Sequence, residues 1–600
     1  MSVELPFSIR RHDALEPPIR AELFGIERLE QHAASLAAAQ GVVAGASSGR
    51  SLLKRVQDNA RVLQDANRAI AATLDEDRWI TPAAEWLVDN FYVIAEQLRQ
   101  IRGDLSVGFY RGLPKLAEGP LVGYPRVYGI AWAFVAHTDS RMDPEFLRRF
   151  VMAYQAVQPL TIGELWAIPI SLRVVLVENL RRLADAVTAT SAAQRAAQEL
   201  AEAFLGEEDD ARAAEVLDRF DRDRRQLAPA FAVELMQLLR NHDPTTTPGL
   251  RRVQKRLAAQ GTTPEEITLL EHQREAATTV TVRNIITSMR LIAALDWTDM
   301  FESVSLVDQA LRDGSDFAAM DFASRDDYRH AIEALARGST HAELDITHAA
   351  LGQARAAGVD PAADPRRGDP GFYLIGNGRR AFERAIGFRP GIRLRLTRAF
   401  VDAATPGFLA TLSVFTAALI AIPLFMAHAA GLSTTGLIVL GLLALVPASD
   451  LAVALLNREV TAIVAPNLLP RFEWPTGVPP ECRTLVAVPT LLTSLDDVQA
   501  QVDQLEVQYL GNADGEVLFA LASDWADAPA EQRSDDQAIL AAARAGIARL
   551  NQVHGPTPGG GNRFFLFHRR RLWNQSEGVW MGWERKRGKL HELNRLLRGA

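Results

Sequence analysis

Four polar residues near the end of the chain have the types and spacing of a nucleotide- or phosphate-binding site. Thr490 and Asp524 each follow a short apolar run, and Lys586 and Lys589 begin a basic helical stretch. An aspartate can accept hydrogen bonds from uracil or ribose, and a lysine supplies a compact charge for phosphates. The alternative is that these residues only cap strand ends and start an exposed helix. Spacing alone favours neither interpretation.

The elements around these residues alternate between short apolar runs and helical stretches. The predicted strands span 484–488, 515–521 and 563–568, and the predicted helices span 495–510 and 537–552. Such alternation predicts a parallel sheet covered by helices, in which ligands bind beyond the carboxyl ends of the strands. The pattern therefore brings Thr490 and Asp524 to one edge of the sheet.

A second feature, at 405–457, predicts a transmembrane hairpin. Two apolar runs, 408–430 and 437–456, contain a single charged residue, Asp450. A helix needs about 20 mainly apolar residues to cross a bilayer. Arginines flank the hairpin and are absent from its turn, which predicts that both ends of the chain are cytoplasmic. The alternative is a helical hairpin buried in a soluble core.

Before the hairpin, residues 1–400 have the pattern of a mainly α-helical region. Thr81 followed by Pro82 predicts a helix start, with apolar residues from Leu87 to Ile101 on one face of a single helix. Thr161 predicts another helix cap, with Glu164 complementing the helix dipole. The pattern does not indicate what this region does.

Several short motifs in the helical region are weak signals. His137 and Asp139 could form a metal or acid–base site, but a helix end with ordinary polar partners is the favoured interpretation. Asp75-Glu76-Asp77 and Asp221-Arg222-Asp223 have DxD spacing without a preceding strand, so we interpret both as surface. Gly376-Asn377-Gly378-Arg379-Arg380 is interpreted as a turn rather than a phosphate loop.

Composition excludes some classes of function. The formal net charge of -8 and the pI near 5.9 argue against nucleic acid as a partner. Cys482 is the single cysteine, which excludes an intrachain disulfide and a cysteine-based zinc site. Residues 1–23 have no apolar segment of signal-peptide length. The internal hairpin is therefore the expected membrane anchor.

Longer segments carry a family resemblance across nearly the whole chain. They are Leu87–Asp104 (LVDNFYVIAEQLRQIRGD), Leu113–Leu116 (LPKL), Tyr124–Arg141 (YPRVYGIAWAFVAHTDSR), Gln158–Trp166 (QPLTIGELW), Met320–Ile332 and Trp583–Asn594 (WERKRGKLHELN). In these segments the chain resembles the amino-terminal portion of a cyclic β-1,2-glucan synthase. The resemblance implies a multi-pass enzyme of the inner membrane that polymerises glucose from UDP-glucose and closes the glucan into a ring.

The resemblance also implies a fold and roles for the four polar residues. Residues 480–600 are similar to the first half of a GT-A-like transferase domain. Pro489-Thr490 resembles the first nucleotide-binding strand end, Asp524 the uridine-contacting aspartate, and Lys586-x-Gly588-Lys589-Leu590 the KAGNL segment. The implied partners are UDP-glucose, the growing β-1,2-glucan, the lipid bilayer and the carboxy-terminal domains of the same enzyme. Mg²⁺ or Mn²⁺ is implied for the full-length enzyme.

The sequence departs from the family pattern in one respect. No DxD follows Thr484, and the chain reaches Ala600 without the expected metal-binding strand, general base or Q/RxxRW motif. We therefore expect an incomplete parallel sheet, half of a donor site, no catalytic residue and no metal site in this chain, and no glucan synthesis by the chain alone. The alternative function is a non-enzymatic, membrane-anchored helical scaffold.

Overall fold

The computed structural model describes residues 16–43, 49–75, 80–105, 107–205, 220, 226–240, 248–358, 364–464, 468–512 and 514–599. The described residues form two compact units. The first comprises Met1–Ser315 with Asp327–Ile463, and the second comprises Asp316–Asp326 with Val464–Ala600. Two separate segments of the chain therefore form the second unit.

The first unit is almost entirely helical, as the sequence predicts. Its helices before the hairpin are α1 (Ile26–Ala39), α2 (Leu52–Asp75), α3 (Pro82–Asp89), α4 (Phe91–Asp104), α5 (Val107–Gly112), α6 (Arg126–His137), α7 (Pro144–Gln155), α8 (Ile162–Trp166), α9 (Ile168–Leu205), α10 (Pro229–Arg240), α11 (Pro248–Ala259), α12 (Pro264–Ala294), α13 (Trp297–Val304), α14 (Leu306–Gly314), α15 (Phe322–Arg337), α16 (Glu343–Gly358), α17 (Gly371–Leu374) and α18 (Arg379–Ala385). Two short strands, β1 (Val42–Val43) and β2 (Lys115–Leu116), pair antiparallel.

Helix caps explain several of these boundaries. The Thr81 hydroxyl accepts the Ala84 N–H at the start of α3. At α8, Thr161 and Glu164 form a capping box in which each side chain accepts a backbone N–H of the other residue. Glu164 does more than the predicted dipole role, because it is also fully buried against the Arg126 guanidinium.

The single helix predicted from Pro82 to Ile101 is wrong, because it is interrupted at Asn90. The Asn90 side chain donates to the Trp86 carbonyl at 2.9 Å and accepts from Arg290 at 2.6 Å. Asparagine side chains compete in this way with the helical backbone hydrogen bonds. The chain therefore forms two helices, α3 and α4, on either side of Asn90.

The hairpin consists of two long apolar helices, preceded by a short basic one. These helices are α19 (Ile392–Asp402), α20 (Ala404–Ala429) and α21 (Thr434–Ile463). Both α20 and α21 are long and apolar enough to cross a membrane, and almost none of their residues is buried by protein. Within this chain the hairpin is therefore not covered by protein as the core of a soluble domain would be. Pro423 and Pro447 lie within the helices, a position that membrane-spanning helices tolerate.

The second unit contains the predicted parallel sheet. Its elements are β3 (Thr484–Leu492), α22 (Leu495–Leu510), β4 (Val517–Trp525), α23 (Asp536–His554), β5 (Phe564–His568), β6 (Leu572–Asn574), β7 (Val579–Met581) and α24 (Arg585–Leu597). The strand order is β3-β4-β5, with both pairs parallel, and β6 and β7 form a separate antiparallel pair. Apolar residues of β4, α22 and α23 pack together as the core of this unit.

Asp316–Asp326, which includes the first residues of α15, joins the second unit through backbone pairing. Met320 forms an antiparallel bridge with Phe472. The Asp321 N–H donates to the Arg471 carbonyl at 2.8 Å, and the Glu473 N–H donates to the Ala319 carbonyl at 2.8 Å. No sequence pattern predicts this pairing, because its two segments are about 150 residues apart.

Candidate functional site

The carboxyl ends of three parallel strands meet at one edge of the second unit. The register places Thr490 opposite Ser523 and Leu491 opposite Asp524 on β3 and β4. On β5, His568 lies opposite Ser523. Residues that follow these strand ends are therefore close in space, as the predicted sheet requires.

Asp524 is the centre of this edge and binds two cations. It is 1% exposed. Arg569, which directly follows β5, donates Nε to Oδ1 at 2.7 Å and Nη2 to Oδ2 at 2.9 Å. Lys589 Nζ lies 3.1 Å from the same Oδ2 and donates to the Thr490 carbonyl at 2.5 Å. We call Thr490, Asp524, Arg569 and Lys589 the strand-end cluster.

The structure brings three of the four predicted site residues together. Thr490, Asp524 and Lys589 belong to the strand-end cluster, although Thr490 contributes its carbonyl oxygen rather than its hydroxyl. Lys586 is exposed, and within the described ranges it forms no ion pair. That these residues bind a substrate stays a prediction.

The buried part of the strand-end cluster carries a positive surplus. Two cations, Arg569 and Lys589, face one buried carboxylate. Glu592 lies 3.4 Å from Arg569 Nη1, but its side chain is half-exposed and therefore screened by solvent. Burial lowers the pKa of Lys589, against the opposing effect of Asp524. A negatively charged ligand beside Lys589 would favour its charged form.

The backbone that leads into α24 is strained where it meets the strand-end cluster. Glu584 and Arg585 adopt left-handed conformations, with φ of 48° and 46°. Arg569 Nη2 donates to the Trp583 carbonyl at 3.2 Å and to the Arg585 carbonyl at 3.0 Å. Such conformations cost about 1–3 kcal/mol each and cluster at ligand-binding sites. Arg569 thus connects Asp524 to the start of α24.

Two glycines allow this close approach. A Cβ added at Gly582 would lie 2.9 Å from Asp524 Oδ2, and a Cβ added at Gly588 would collide with the Trp583 carbonyl oxygen. A larger residue at either position would displace the backbone or the carboxylate. The close approach of the Trp583 carbonyl therefore explains why the Lys586-x-Gly588-Lys589 segment has a glycine at position 588.

The first turn of α24 is basic, which is unfavourable for a helix by itself. It contains Arg585, Lys586 and Arg587 and no acidic residue. The positive end of the helix dipole favours anions at this position. Arg585 is compensated by Asp527 at 3.1 Å and by Glu577 at 2.9 Å. Lys586 is exposed and has no ion-pair partner among the described residues. A phosphate bound at this helix start would therefore meet both its charge and the helix dipole.

A histidine at the end of β5 is held in the neutral form. Burial lowers the pKa of His568 to about 4. Its Nδ1 lies 2.9 Å from the Ser523 hydroxyl, and its ring lies edge-on to Trp525 with centroids 4.4 Å apart. His568 therefore shapes the strand ends without adding charge at neutral pH.

Sequence reasoning missed Arg569, which makes more contacts with Asp524 than any predicted residue. It is the first of three consecutive arginines, Arg569-Arg570-Arg571. Arg571 is buried in an ion pair with Asp536, and Arg570 is exposed. The one available signal was that Arg569 directly follows the third predicted strand.

The described residues do not fit the divalent metal that the family resemblance implies. Within the described ranges, no three His, Cys, Asp or Glu side chains converge as a metal-binding group. Both oxygens of Asp524 already accept bonds from cations. Asp221-Arg222-Asp223 and residues 76–77 of the other DxD lie outside the described residues. The expectation that metal ligands belong to other parts of the full-length enzyme stays a prediction.

The His137–Asp139 segment is a helix end with ordinary polar partners. Asp139 accepts hydrogen bonds from the Arg20 guanidinium at 2.9 Å and from the Thr281 hydroxyl at 2.7 Å. His137 Nδ1 lies 2.8 Å from the Glu22 carbonyl, and its ring stacks on Phe24. These are ordinary polar contacts within the first unit, so the interpretation favoured from the sequence is confirmed.

Comparison with known proteins confirms the resemblance over the whole chain. No protein-family model matches. The chain is 39% identical over 588 residues to "Cyclic beta-(1,2)-glucan synthase NdvB" of Rhizobium meliloti (strain 1021). This chain is similar to a cyclic β-(1,2)-glucan synthase. The match covers 97% of this chain, and the chain spans 20% of the length of NdvB. The similarity to NdvB therefore extends across the helical unit, the hairpin and most of the second unit.

Proposed function

We propose that this chain is part of a membrane glucosyltransferase that makes cyclic β-1,2-glucan from UDP-glucose, and that the strand-end cluster and Lys586 bind the donor. The observation that carries the proposal is the convergence of Thr490, Asp524 and Lys589 at the carboxyl edge of a parallel sheet. The similarity to NdvB supports the glucan chemistry. Because the chain spans a fifth of NdvB, we assign glucosyl transfer itself to the longer protein.

The contacts suggest a division of roles within the site. Asp524 orients Arg569 and Lys589, because both cations are bonded to its carboxylate. The two cations offset the charge of the donor pyrophosphate, and Lys586 adds an exposed charge at the start of α24. Hydrogen bonds to charged groups are each worth about 1.5–3 kcal/mol. The role predicted for Asp524 from the resemblance, a direct uridine contact, would use lone pairs that the cations leave free.

The proposed membrane arrangement places the donor site in the cytoplasm. The apolar side chains of the hairpin are exposed, as for Phe425 and Val446, each 74% exposed. Basic residues lie at the ends of the hairpin and not at its turn, which supports cytoplasmic ends. A topology reporter fused at Ser433 should respond as an extracytoplasmic site. A cytoplasmic response at Ser433 would contradict the arrangement.

Binding of UDP to the full chain tests the proposed donor site. Titration calorimetry in detergent, with and without Mg²⁺, should detect UDP. Lys589→Met and Lys586→Gln should each weaken binding, by roughly tenfold for Lys586→Gln if one charge-assisted contact is lost. Arg570→Gln is the matched control, since Arg570 is an exposed arginine outside the strand-end cluster.

Two outcomes would count against the proposal. Absence of UDP binding in the folded chain would favour the alternative of a helical scaffold with a structural ion cluster. Equal weakening by Lys586→Gln and Arg570→Gln would show that general surface charge, rather than the site, attracts the nucleotide.

A further inference from the structure

Helix α19 presents an apolar face that no protein covers. None of its residues is buried. Ile392 is 78% exposed and Leu396 is 67% exposed. They are four residues apart and therefore lie on the same helix face, which Ala399 continues. An 11-residue helix that exposes large aliphatic side chains needs another surface to cover them.

Two arginines of the same helix, and one three residues before it, have side chains that form no ion pair in the described part of the chain. Among the described residues, Arg389, Arg393 and Arg395 are exposed and form no ion pair. Two neighbouring arginines behave differently. Arg398 donates to both oxygens of Glu383 at 2.7 Å, and Arg380 binds Asp402 at 2.7 and 2.9 Å.

These two ion pairs fix α19 in place. Arg398–Glu383 and Arg380–Asp402 both join α19 to α18. The helix is therefore an ordered part of the first unit even though its apolar face is open. The unpaired arginines are positioned by this packing rather than by partners of their own.

The position of α19 indicates which surface covers it. Ala403 alone separates α19 from α20, the first candidate membrane span. At 1.5 Å per residue, Ile392 is within about 18 Å of the start of that span. The apolar side chains of α19 are thus followed in the chain directly by those of the hairpin. Residues so close to a span lie at the level of lipid headgroups.

We propose that α19 is an interfacial helix that binds the surface of an anionic bilayer. Ile392 and Leu396 enter the boundary between headgroups and acyl chains, and Arg389, Arg393 and Arg395 contact the phosphates of acidic lipids. Charge complementarity and continuity with the hairpin select lipid as the occupant. The inference depends on membrane insertion of the hairpin, but not on donor binding.

Site-specific fluorescence on the full chain tests this inference. In a Cys482→Ser background, an environment-sensitive dye is attached to Leu396→Cys, and the chain is placed in nanodiscs of phosphatidylcholine with 30% phosphatidylglycerol. We expect blue-shifted emission and protection from aqueous iodide. Ala385→Cys is the control, because Ala385 is exposed at the end of α18 and lies outside the apolar face of α19. Its dye should remain accessible to iodide.

The contribution of the arginines is tested in the same nanodiscs. Lowering the phosphatidylglycerol content to zero should increase quenching at Leu396. The triple substitution Arg389→Gln, Arg393→Gln, Arg395→Gln should remove this dependence on acidic lipid. Each arginine near an acidic surface contributes a factor of about five in affinity. A dye at Leu396 that responds equally in both lipids would overturn the choice of acidic lipid.

Other outcomes are equally decisive. Equal iodide quenching at Leu396 and Ala385 in every lipid would show that α19 does not lie on the bilayer. Protection at Leu396 that occurs in detergent and grows with protein concentration would show that a second copy covers the face. A dye at Val446→Cys reports hairpin insertion independently. If Val446 is protected and Leu396 is not, the proposal for α19 fails while membrane insertion stands.

Discussion

Two buried clusters of basic side chains around one carboxylate differ in how fully a structural ion pair explains them. In the helical unit, Glu178 is fully buried and accepts from Arg55 at 2.6 and 2.8 Å and from Asn59 at 2.7 Å. Arg181 and Arg182 also contact it, each at 3.1 Å. In the second unit, the strand-end cluster holds two cations around Asp524.

The surroundings of the two clusters explain the difference. The three arginines around Glu178 have two further acidic partners, Glu16 and Asp185. Burial raises the pKa of Glu178, but hydrogen bonds from Arg55 and Asn59 outweigh this and lower it to about 2. Three carboxylates, including the half-exposed Glu16, thus face three arginines, and Asp524 with the half-exposed Glu592 faces Arg569 and Lys589. The strand-end cluster differs in its strained backbone and in the exposed Lys586, features that a structural ion pair does not need.

The largest effect on stability is expected from Glu178→Gln. Removing this carboxylate leaves the partly buried Arg55 without an acidic partner and Arg181 and Arg182 with Glu16 and Asp185 alone, and breaking such clusters costs about 3–5 kcal/mol. Thermal unfolding of the purified chain should show a markedly lower Tm. Glu145→Gln is the control, because the Glu145–Arg148 pair is solvent-exposed. An equal Tm for both variants would contradict the structural role of the Glu178 cluster.

Gly588→Ala should have an intermediate effect on stability and a large effect on the site. The new Cβ collides with the Trp583 carbonyl oxygen, so α24 must shift. Crowding of this kind costs about 1–3 kcal/mol, and the shift moves Lys589 away from Asp524. Calorimetry should show weaker UDP binding together with a lower Tm. Gly561→Ala, at a position with open space, should change neither.

The two units should respond to pH in opposite directions between pH 7 and pH 5. Burial raises the pKa of Glu343 to about 7, aided by Glu333 and Glu164. The stabilisation that comes from protonated Glu343 is fully present below its unfolded-state pKa of 4.5, and it is lost as the pH rises through 7. Burial lowers the pKa of His568 to about 4, so its contribution is present above 6.5 and is lost as pH falls through 4.

Hydrogen exchange resolved by peptide separates these responses. On acidification from pH 7 to pH 5, protection corrected for intrinsic exchange should rise around α16 and fall around β5. Glu343→Gln should remove the first change, and His568→Asn should remove the second. If protection rises in both units or falls in both units, titratable groups other than Glu343 and His568 dominate the response to pH.

Lys586→Gln should have the smallest effect on stability. Lys586 is exposed and forms no ion pair in the described part of the chain, so its loss should change the free energy of unfolding by less than about 0.5 kcal/mol. If the surplus charge of the site serves a ligand, UDP affinity falls while Tm is unchanged. A fall in Tm without a change in affinity would make Lys586 structural and weaken the contrast with the Glu178 cluster.

The sequence predicted the elements of the second unit well and their ends less well. Strand β3 was predicted to stop at Pro489 but continues to Leu492. Among the described residues, β3 pairs along its length with β4 alone. An edge strand tolerates a proline, because one side of the strand needs no donor. Similarly, β4 was predicted at 515–521 but spans Val517–Trp525, so Asp524 lies within the strand rather than after it.

The site was predictable where it depends on strand ends and unpredictable where it depends on tertiary contacts. Parallel alternation was sufficient to place Thr490 and Asp524 at one edge. The alternation could not distinguish Arg569 from Arg570 and Arg571, because only the tertiary structure decides which of three adjacent arginine side chains contacts Asp524. It also assigned Lys586 and Lys589 similar roles, whereas the structure buries Lys589 and exposes Lys586.

The pairing of Met320 with Phe472 has a consequence for the order of folding. During synthesis, Asp316–Asp326 leaves the ribosome about 150 residues before its partner, and both hairpin helices are made in between. At 5–20 residues per second, the segment waits roughly 8–30 seconds for the rest of its unit. The α/β unit therefore completes its fold only after the hairpin has been synthesised. A version of this unit that begins after Ile463 would lack one of its own segments from the start.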